Sequence, residues 1–370
     1  PVARVRRSHA GASRSRQGAR RGELMRTATT VEFGAAQRER TEFVLEAERL
    51  GLDVCWVAEA WGADAASPLG YLAARTSRML LGAGVFQVGT RSPAALAMTA
   101  MTLAHLSGGR FLLGLGSSGP QVMEGLHGIA FAKPLGRMRE TIEIVRSACA
   151  GERIDHHGSA YDVPLAGSEG RPMRLAIDAV HVPIYIASLS PGMLGLTGAV
   201  ADGWLGTSFV PEGAAAYFDP LREGAASAGR SLADIDICQG AEVAFARDED
   251  ELARMITPRK KELAFSLGGM GTATTNFYND AYSRQGWAEV AARVRTLWQD
   301  GRRDDAAASV TDDMVLATTL LGTEEMVRER LRVWRDTGVT TVRLYPAGDT
   351  LDARVATLGR AIELVRELRG

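Results

Sequence analysis

Eight short runs dominated by apolar and β-branched residues punctuate the chain, at residues 26–33, 54–58, 79–86, 110–115, 183–187, 203–207, 235–246 and 340–345. Runs this short and this continuous predict strands buried on both faces, as in a parallel sheet. Between them the apolar positions recur at intervals of three and four. Leu135, Met138, Ile142, Val145 and Cys149 form one such stripe, and Leu351, Val355, Leu358, Ile362 and Val365 form another. Stripes of this period predict amphipathic helices packed outside a sheet. Strand and helix alternate to the end of the chain, and eight parallel strands close a barrel. The prediction is an α/β protein, a (β/α)8 TIM-type barrel, with residues 25–370 as a single domain.

Two segments break the alternation. Residues 151–182 contain IDHHGSAYDVP, which predicts a hairpin, and residues 267–321 open on GGMGTATTNFYNDAYSRQGW before further helix. Long insertions between barrel elements are expected as surface loops or lids over the pocket.

The stretch from Leu80 to His127 is the most informative. Gly82 and Gly84 interrupt the third strand, which points to a close backbone approach. Pro93 sits where a helix favours proline, in its first turn, and Ser107-Gly108-Gly109 ends that helix. After the next strand, Gly114-Leu115-Gly116-Ser117-Ser118-Gly119-Pro120-Gln121 forms a turn whose glycines let successive amides converge on one anion. A glycine-rich turn is weak evidence alone; behind a βαβ unit it suggests a phosphate-bearing cofactor.

Composition narrows the class. The chain has 370 residues, 46% hydrophobic and 24% charged, an ordinary globular balance, and no apolar run of membrane-spanning length. Cys55, Cys149 and Cys238 lie far apart among apolar residues, which predicts reduced core thiols and a cytoplasmic setting, and neither they nor the six histidines show metal-ligand spacing. Seven arginines and a single acid fall within residues 1–24, an Arg-rich stretch expected to be a disordered extension. The rest is acidic by about seven charges, which gives no reason to bind nucleic acid.

In a barrel the residues at strand carboxyl ends face the active site. That rule places Glu32 after the first strand, Glu59 with Trp61 after the second, Gln87 after the third, Ser117 and Ser118 after the fourth and Ser188 after the fifth. Glu59 lies between Trp56 and Trp61, bulky groups able to desolvate it and raise its pKa; its alternative is a salt bridge, for example to Arg91. Phe277 and Tyr278 are candidates for the substrate pocket, with capping and packing the alternative for the Asn276–Asn279 segment.

The motifs GLDVCWVAEAWG, LGAGVFQVGTRSPAALA, HLSGGRFLLGLGSSGPQVMEGLHG, KPLGRMRETIEIVR, VPIYIASLSPGMLGLTGAVADGW and GMGTATTNFYN resemble the luciferase-like superfamily. The likeness is to its F420-dependent branch, related to methylenetetrahydromethanopterin reductase, and runs from about residue 25 to the C-terminus. It implies an F420-dependent oxidoreductase that transfers a hydride between the deazaflavin and a small organic substrate bearing a C=C or C=N bond or a pterin-like ring. The alternatives are an FMNH2 and oxygen-dependent monooxygenase, with FMN as the cofactor, and a non-catalytic flavin or deazaflavin binder.

By that family's pattern, Gly84-Val85 falls on a bulge with a non-proline cis peptide behind the cofactor ring. Ser117, Ser118, Gly119, Gln121 and Val122 match the turn that holds the phosphate side chain, and Ala187, Ser188 and Leu189 match its flank. Glu59 and then Glu32 are the implied proton donors, with Trp61 shaping the pocket. Where several F420 enzymes have an Asp-His pair, this chain has Glu59 and Ala60, which argues against alcohol or sugar-phosphate dehydrogenase chemistry. Relatives with this barrel commonly form homodimers, which is the expectation here.

Overall fold

The computed structural model describes residues 25–272 and 275–369; the Arg-rich stretch 1–24 lies outside the described residues. Eight parallel strands close the barrel: β1 (Arg26–Glu32), β2 (Val54–Ala58), β3 (Leu80–Ala83), β4 (Phe111–Gly116), β5 (Ile184–Ala187), β6 (Gly203–Leu205), β7 (Asp236–Phe245) and β8 (Thr341–Pro346). Each pairs with the next, and β8 returns to β1 through Arg26 opposite Thr341. The crossovers are α1 (Gln37–Leu50), α2 (Ala66–Arg75), α3 (Pro93–Leu106), α4 (Pro134–Cys149), α5 (Pro191–Val200), α6 (Ala215–Ser227) and α7 (Glu324–Thr337), with α8 (Leu351–Glu367) after the last strand. The (β/α)8 prediction holds.

Helix boundaries follow local chemistry. Ser92 caps α3, its hydroxyl accepting from the Ala95 amide at 3.2 Å, and Pro93 opens the first turn. Thr323 and Thr350 cap α7 and α8 in the same way. The predicted stripes face inward except at their starts: Met138, Ile142, Val145 and Cys149 of α4, and Leu358, Ile362 and Val365 of α8, are buried between the helices and the sheet, while Leu135 in the first turn of α4 is exposed and Leu351 and Val355 are partly buried.

One expectation needs correcting. The run 79–86 is not a continuous strand: β3 stops at Ala83, the Gly84–Val85 peptide is cis, and Phe86–Gln87 resumes pairing nearer the carboxyl end of β4, against Leu115 and Gly116. The break has a steric setting. Trp56 fills the barrel interior, and a Cβ on Gly82 would fall 2.3 Å from its ring. A Cβ on Gly114 would lie 1.9 Å from the Ala83 carbonyl oxygen. Only glycines let β3 and β4 run this close over the indole.

The interior is layered. Ala28, Val54, Trp56, Leu112, Tyr185, Leu205 and Cys238 pack together inside the strands, with Trp56 and Tyr185 edge to face at 5.0 Å. Charge closes the amino-terminal end: Arg26 pairs with Asp236 at 2.5 Å, and the hydroxyls of Tyr185, Thr340 and Thr341 donate to the same carboxylate.

The hairpin of the first insertion is present, His156–His157 against Asp162–Val163. Glu140 of α4 anchors it by accepting from the amides of Ser159, Ala160 and Tyr161 at 2.8–3.0 Å. The second insertion, expected as a surface loop or lid over 267–321, is mostly helical, with helices Phe277–Tyr282 and Ala288–Gln299 among others, and it begins earlier than expected, at helix Glu249–Ala264 after β7. It builds its own core, where Leu267, Tyr282, Ala291, Val294 and Met314 are buried together. Leu320–Gly322 then joins the sheet beside the last three residues of β7.

Gly114→Ala should therefore destabilise the barrel by about 1–3 kcal/mol or more, the usual range for overpacking a tight core. Gly125→Ala, at a position with open space around it, should stay within about 0.5 kcal/mol. Guanidinium denaturation compares the two, and equal midpoints would refute this account of β3 and β4.

Candidate active site

The carboxyl ends of the strands converge on one mouth. Val85, part-exposed, occupies the space a Gly116 side chain would need, its Cγ2 lying 2.5 Å from where that Cβ would stand. The β3 bulge thus rests on β4. Ser117 follows, then Ser118 with φ 57, then Gly119 ahead of the short helix Pro120–Gly125. The Ser117 amide is next to the sheet ladder where Gly116 stands opposite Ala187, and the Ser118 and Gly119 amides donate to no protein acceptor among the described residues. Gln121 reaches over to the second insertion and donates to the Gly271 carbonyl at 2.5 Å, while the Val122 amide returns to the Gly119 carbonyl at 3.2 Å.

After β5 the chain contributes its backbone more than its side chains. The Ser188 hydroxyl points back to Thr197 at 3.0 Å and its carbonyl accepts from the Trp204 indole. The neighbouring Leu189 carbonyl accepts from Arg284 of the second insertion at 2.5 Å. Ala187 ends β5 opposite Gly116, so the two candidate phosphate-flanking segments are adjacent.

Glu59 takes the salt bridge, the alternative weighed for it. Arg91 holds it in a bidentate pair at 2.5 and 2.9 Å, and the Ala65 amide donates to it at 2.9 Å. Arg91 also lies 4.6 Å above the Phe86 ring, and Gln87, almost fully buried, donates to the Ala60 carbonyl at 2.9 Å. These contacts tie the loop after β2 to the segment after the bulge. Glu32 is exposed at the end of β1, its Oε1 near Gly62. Trp61 is 68% exposed. Phe277 and Tyr278 are half-buried at the start of a helix capped by Asn276, whose amide donates to the Ser266 and Leu267 carbonyls at 3.0 Å.

Three inward residues escaped the sequence reading. Glu242 of β7 and Arg343 and Tyr345 of β8 share the inward parity of Asp236, Cys238 and Thr341, with Arg343 opposite Gly240 and Tyr345 opposite Glu242. Two-residue alternation from Cys238 would have found Glu242, had the inward face of that strand been known. Glu242 pairs with Arg259 of the second insertion. Burial pushes its carboxyl up to about 7, against the pull of Arg259 and with a further push from Glu262. Among the described residues no group of His, Cys, Asp and Glu could hold a metal ion, and no helix is long and apolar enough to cross a membrane.

The family profile described as luciferase-like monooxygenase matches residues 16–341. The chain belongs to the luciferase-like monooxygenase family. It is 39% identical over 312 residues to a Mycobacterium tuberculosis protein named as a coenzyme F420-dependent oxidoreductase, covering 82% of this chain and 89% of the relative. It is 29% identical to the 5,10-methylenetetrahydromethanopterin reductase of Archaeoglobus fulgidus, over 86% of this chain and 93% of that one. In fold it is similar to the F420-dependent tetrahydromethanopterin reductase of Methanopyrus kandleri, with a TM-score of 0.75, 22% identity and coverage of 91% and 97% of the two chains.

Within this luciferase-like barrel, Arg91→Met leaves Glu59 with no ionic partner and should cost about 1–3 kcal/mol in guanidinium denaturation; a loss below about 0.5 kcal/mol would mean that the pair does not organise the loop. Glu242 gives a pH signature. Between the ordinary carboxyl value of 4.5 and about 7, the folded protein keeps a proton that the unfolded chain has released, so stability falls as pH rises through that window. Glu242→Gln removes this component. Wild-type midpoints should decline relative to the variant between those pH values, and parallel profiles would contradict the assignment.

Proposed function

We propose that this protein is an F420-dependent oxidoreductase that transfers a hydride between the deazaflavin and a small organic substrate bearing a C=C, C=N or pterin-like acceptor. The observation that carries this reading is the pair of free amides of Ser118 and Gly119, which follow β4 where it meets the Val85 bulge. Free backbone donors at a turn suit a phosphate, and a part-exposed bulge with no side-chain charge of its own suits a flat ring. The residues present fit a cofactor of this shape. The names and extents of the relatives support F420 over FMN.

When bound, the deazaflavin supplies the hydride-carrying carbon. The chain supplies position and protons. Ser117, Ser118, Gly119, Gln121 and Val122 hold the phosphate side chain, Ala187, Ser188 and Leu189 flank it, and Gly84, Val85 and Gln87 form the backing surface. Glu59 acts through Arg91 as a positioning residue. Glu32, at the end of β1, and Glu242, inward on β7, are the candidate acids at the mouth. Burial raises the Glu242 carboxyl to about 7, the affinity a donor near neutrality needs. The second insertion, through Gly271, Arg284, Phe277 and Tyr278, covers the phosphate turn and limits water.

Titration of the protein with F420 and separately with FMN, followed by tryptophan quenching, tests the reading. F420 should bind at least about tenfold more tightly, a difference of about 1.4 kcal/mol. With reduced F420 and a panel of activated alkenes and imines, Glu242→Gln should lower the rate about 100-fold or more while leaving F420 affinity unchanged. Tighter FMN binding with oxygen uptake would replace this reading by a monooxygenase, and cofactor binding without turnover of any acceptor would reduce the protein to a binder.

A further inference from the structure

Charges inside the barrel are matched at both ends and unmatched between them. Arg26 and Asp236 close the amino-terminal end, and Glu242 is paired with Arg259 at the mouth. Arg343 lies between these two pairs. It is only 6% exposed, yet it makes no ion pair among the described residues. One terminal nitrogen donates to the Gly206 carbonyl, just past the end of β6, which directs the guanidinium toward the carboxyl ends of the strands. Its Nε is buried with no acceptor.

A second observation points the same way. The Thr30 hydroxyl, inward on the adjacent strand β1, is also buried without a partner. Thr30 stands opposite Trp56, and Trp56 lies beneath the bulge, 3.1 Å from the site of a Gly84 Cβ. Trp56 packs with Cys238 in the interior, and Arg343 stands opposite Gly240, two residues along β7 from Cys238. Thr30, Trp56 and Arg343 therefore face the same interior. A buried guanidinium without an acid is costly, and so is a buried donor without an acceptor; both costs vanish if a ligand brings an acceptor.

We propose that Arg343 and Thr30 form a subsite for a delocalised anionic oxygen, which the substrate brings as a carboxylate. The guanidinium offers parallel N–H donors in a planar fork, the geometry that a carboxylate fills with both oxygens, and the Tyr345 ring, 5.8 Å from its centre, limits where that fork can turn. The inference deepens the oxidoreductase reading and rests on the mouth being its reaction site. The pyrimidine oxygen of a deazaflavin has the same chemistry and is the other possible source.

The test uses the full chain without cofactor and a panel of acetate, benzoate and trans-cinnamate, each against its amide, read as a shift in melting temperature. The acids should stabilise wild type more than the amides do. Arg343→Gln should weaken acid binding about 10- to 100-fold, with partial recovery in Arg343→Lys and a smaller loss in Thr30→Val. Because the arginine is an uncompensated buried charge, the ligand-free Arg343→Gln protein should melt no lower than wild type. F420 titration of the same variants separates the sources: weakened F420 binding with no acid-amide difference assigns the oxygen to the cofactor. Acids and amides acting alike, with F420 affinity unchanged by Arg343→Gln, overturns the subsite; if that variant does not fold, the acid-amide comparison on wild type and the Thr30→Val variant decide. Failure of wild type to bind F420 would sink the oxidoreductase reading while leaving the acid comparison intact.

Discussion

The contact on which this structure depends is the seating of Trp56 against glycine. Its indole fills the barrel interior at a level where β3 and β4 present Gly82, Gly84 and Gly114 in place of side chains. With the indole taking up the volume, the interior needs no further large residues from those strands, and their backbones can approach to distances that any Cβ would block. The bulge follows from that arrangement. Val85 comes to rest over Gly116, and the backbone after β3 is delivered to the mouth as a surface rather than buried as a strand. Everything assigned to cofactor binding is built on that floor or beside it.

Electrostatics divides the barrel along its axis. The amino-terminal end is satisfied by a carboxylate that receives Arg26, Tyr185, Thr340 and Thr341 together, so the acid there is met from within the fold. Toward the mouth the pattern changes. Glu59 and Arg91 compensate each other and fix a loop, burial raises the Glu242 carboxyl to about 7, and Arg343 makes no ion pair among the described residues. Groups that are fully paired stabilise one conformation; groups left wanting a partner mark where a ligand completes the structure.

The barrel was legible because its signal is periodic. Short continuous apolar runs and three-to-four stripes survive most detail of packing, and the eight strands lie where the pattern put them apart from the break in the third, as do the two stripes apart from the exposed Leu135. The break in β3 was only half legible: glycines 82 and 84 announced a close approach, but the partner, Trp56, lies 26 and 28 residues away along the chain, and a tertiary contact at that separation has no local signature. The same limit applies at the site. Glu59 sits between tryptophans in sequence, which suggested desolvation, whereas in space it meets Arg91, 32 residues on. Glu242, Arg343 and Tyr345 were invisible for another reason. A strand buried on both faces does not show which parity points inward, and on β7 and β8 that parity is set by barrel closure alone.

The second insertion shows how the scaffold and its selectivity can be separated. It leaves the barrel after β7, packs on a core of its own and returns through Leu320–Gly322 beside the same strand, so its interior can be remodelled without touching Trp56 or the glycines beneath the bulge. Yet it reaches the mouth at defined points: Gln121 donates to Gly271, Arg284 donates to Leu189, and Arg259 pairs with Glu242. Two of these contacts fall on the segments proposed to hold the cofactor and the third on the carboxyl proposed to hold a proton. Sequence change within the insertion therefore alters what covers the site and how strongly Glu242 keeps its proton, while the floor stays constant. A barrel arranged this way can exchange substrates by changing one subcore, because the interaction that holds the fold together and the interactions that choose the ligand share few residues.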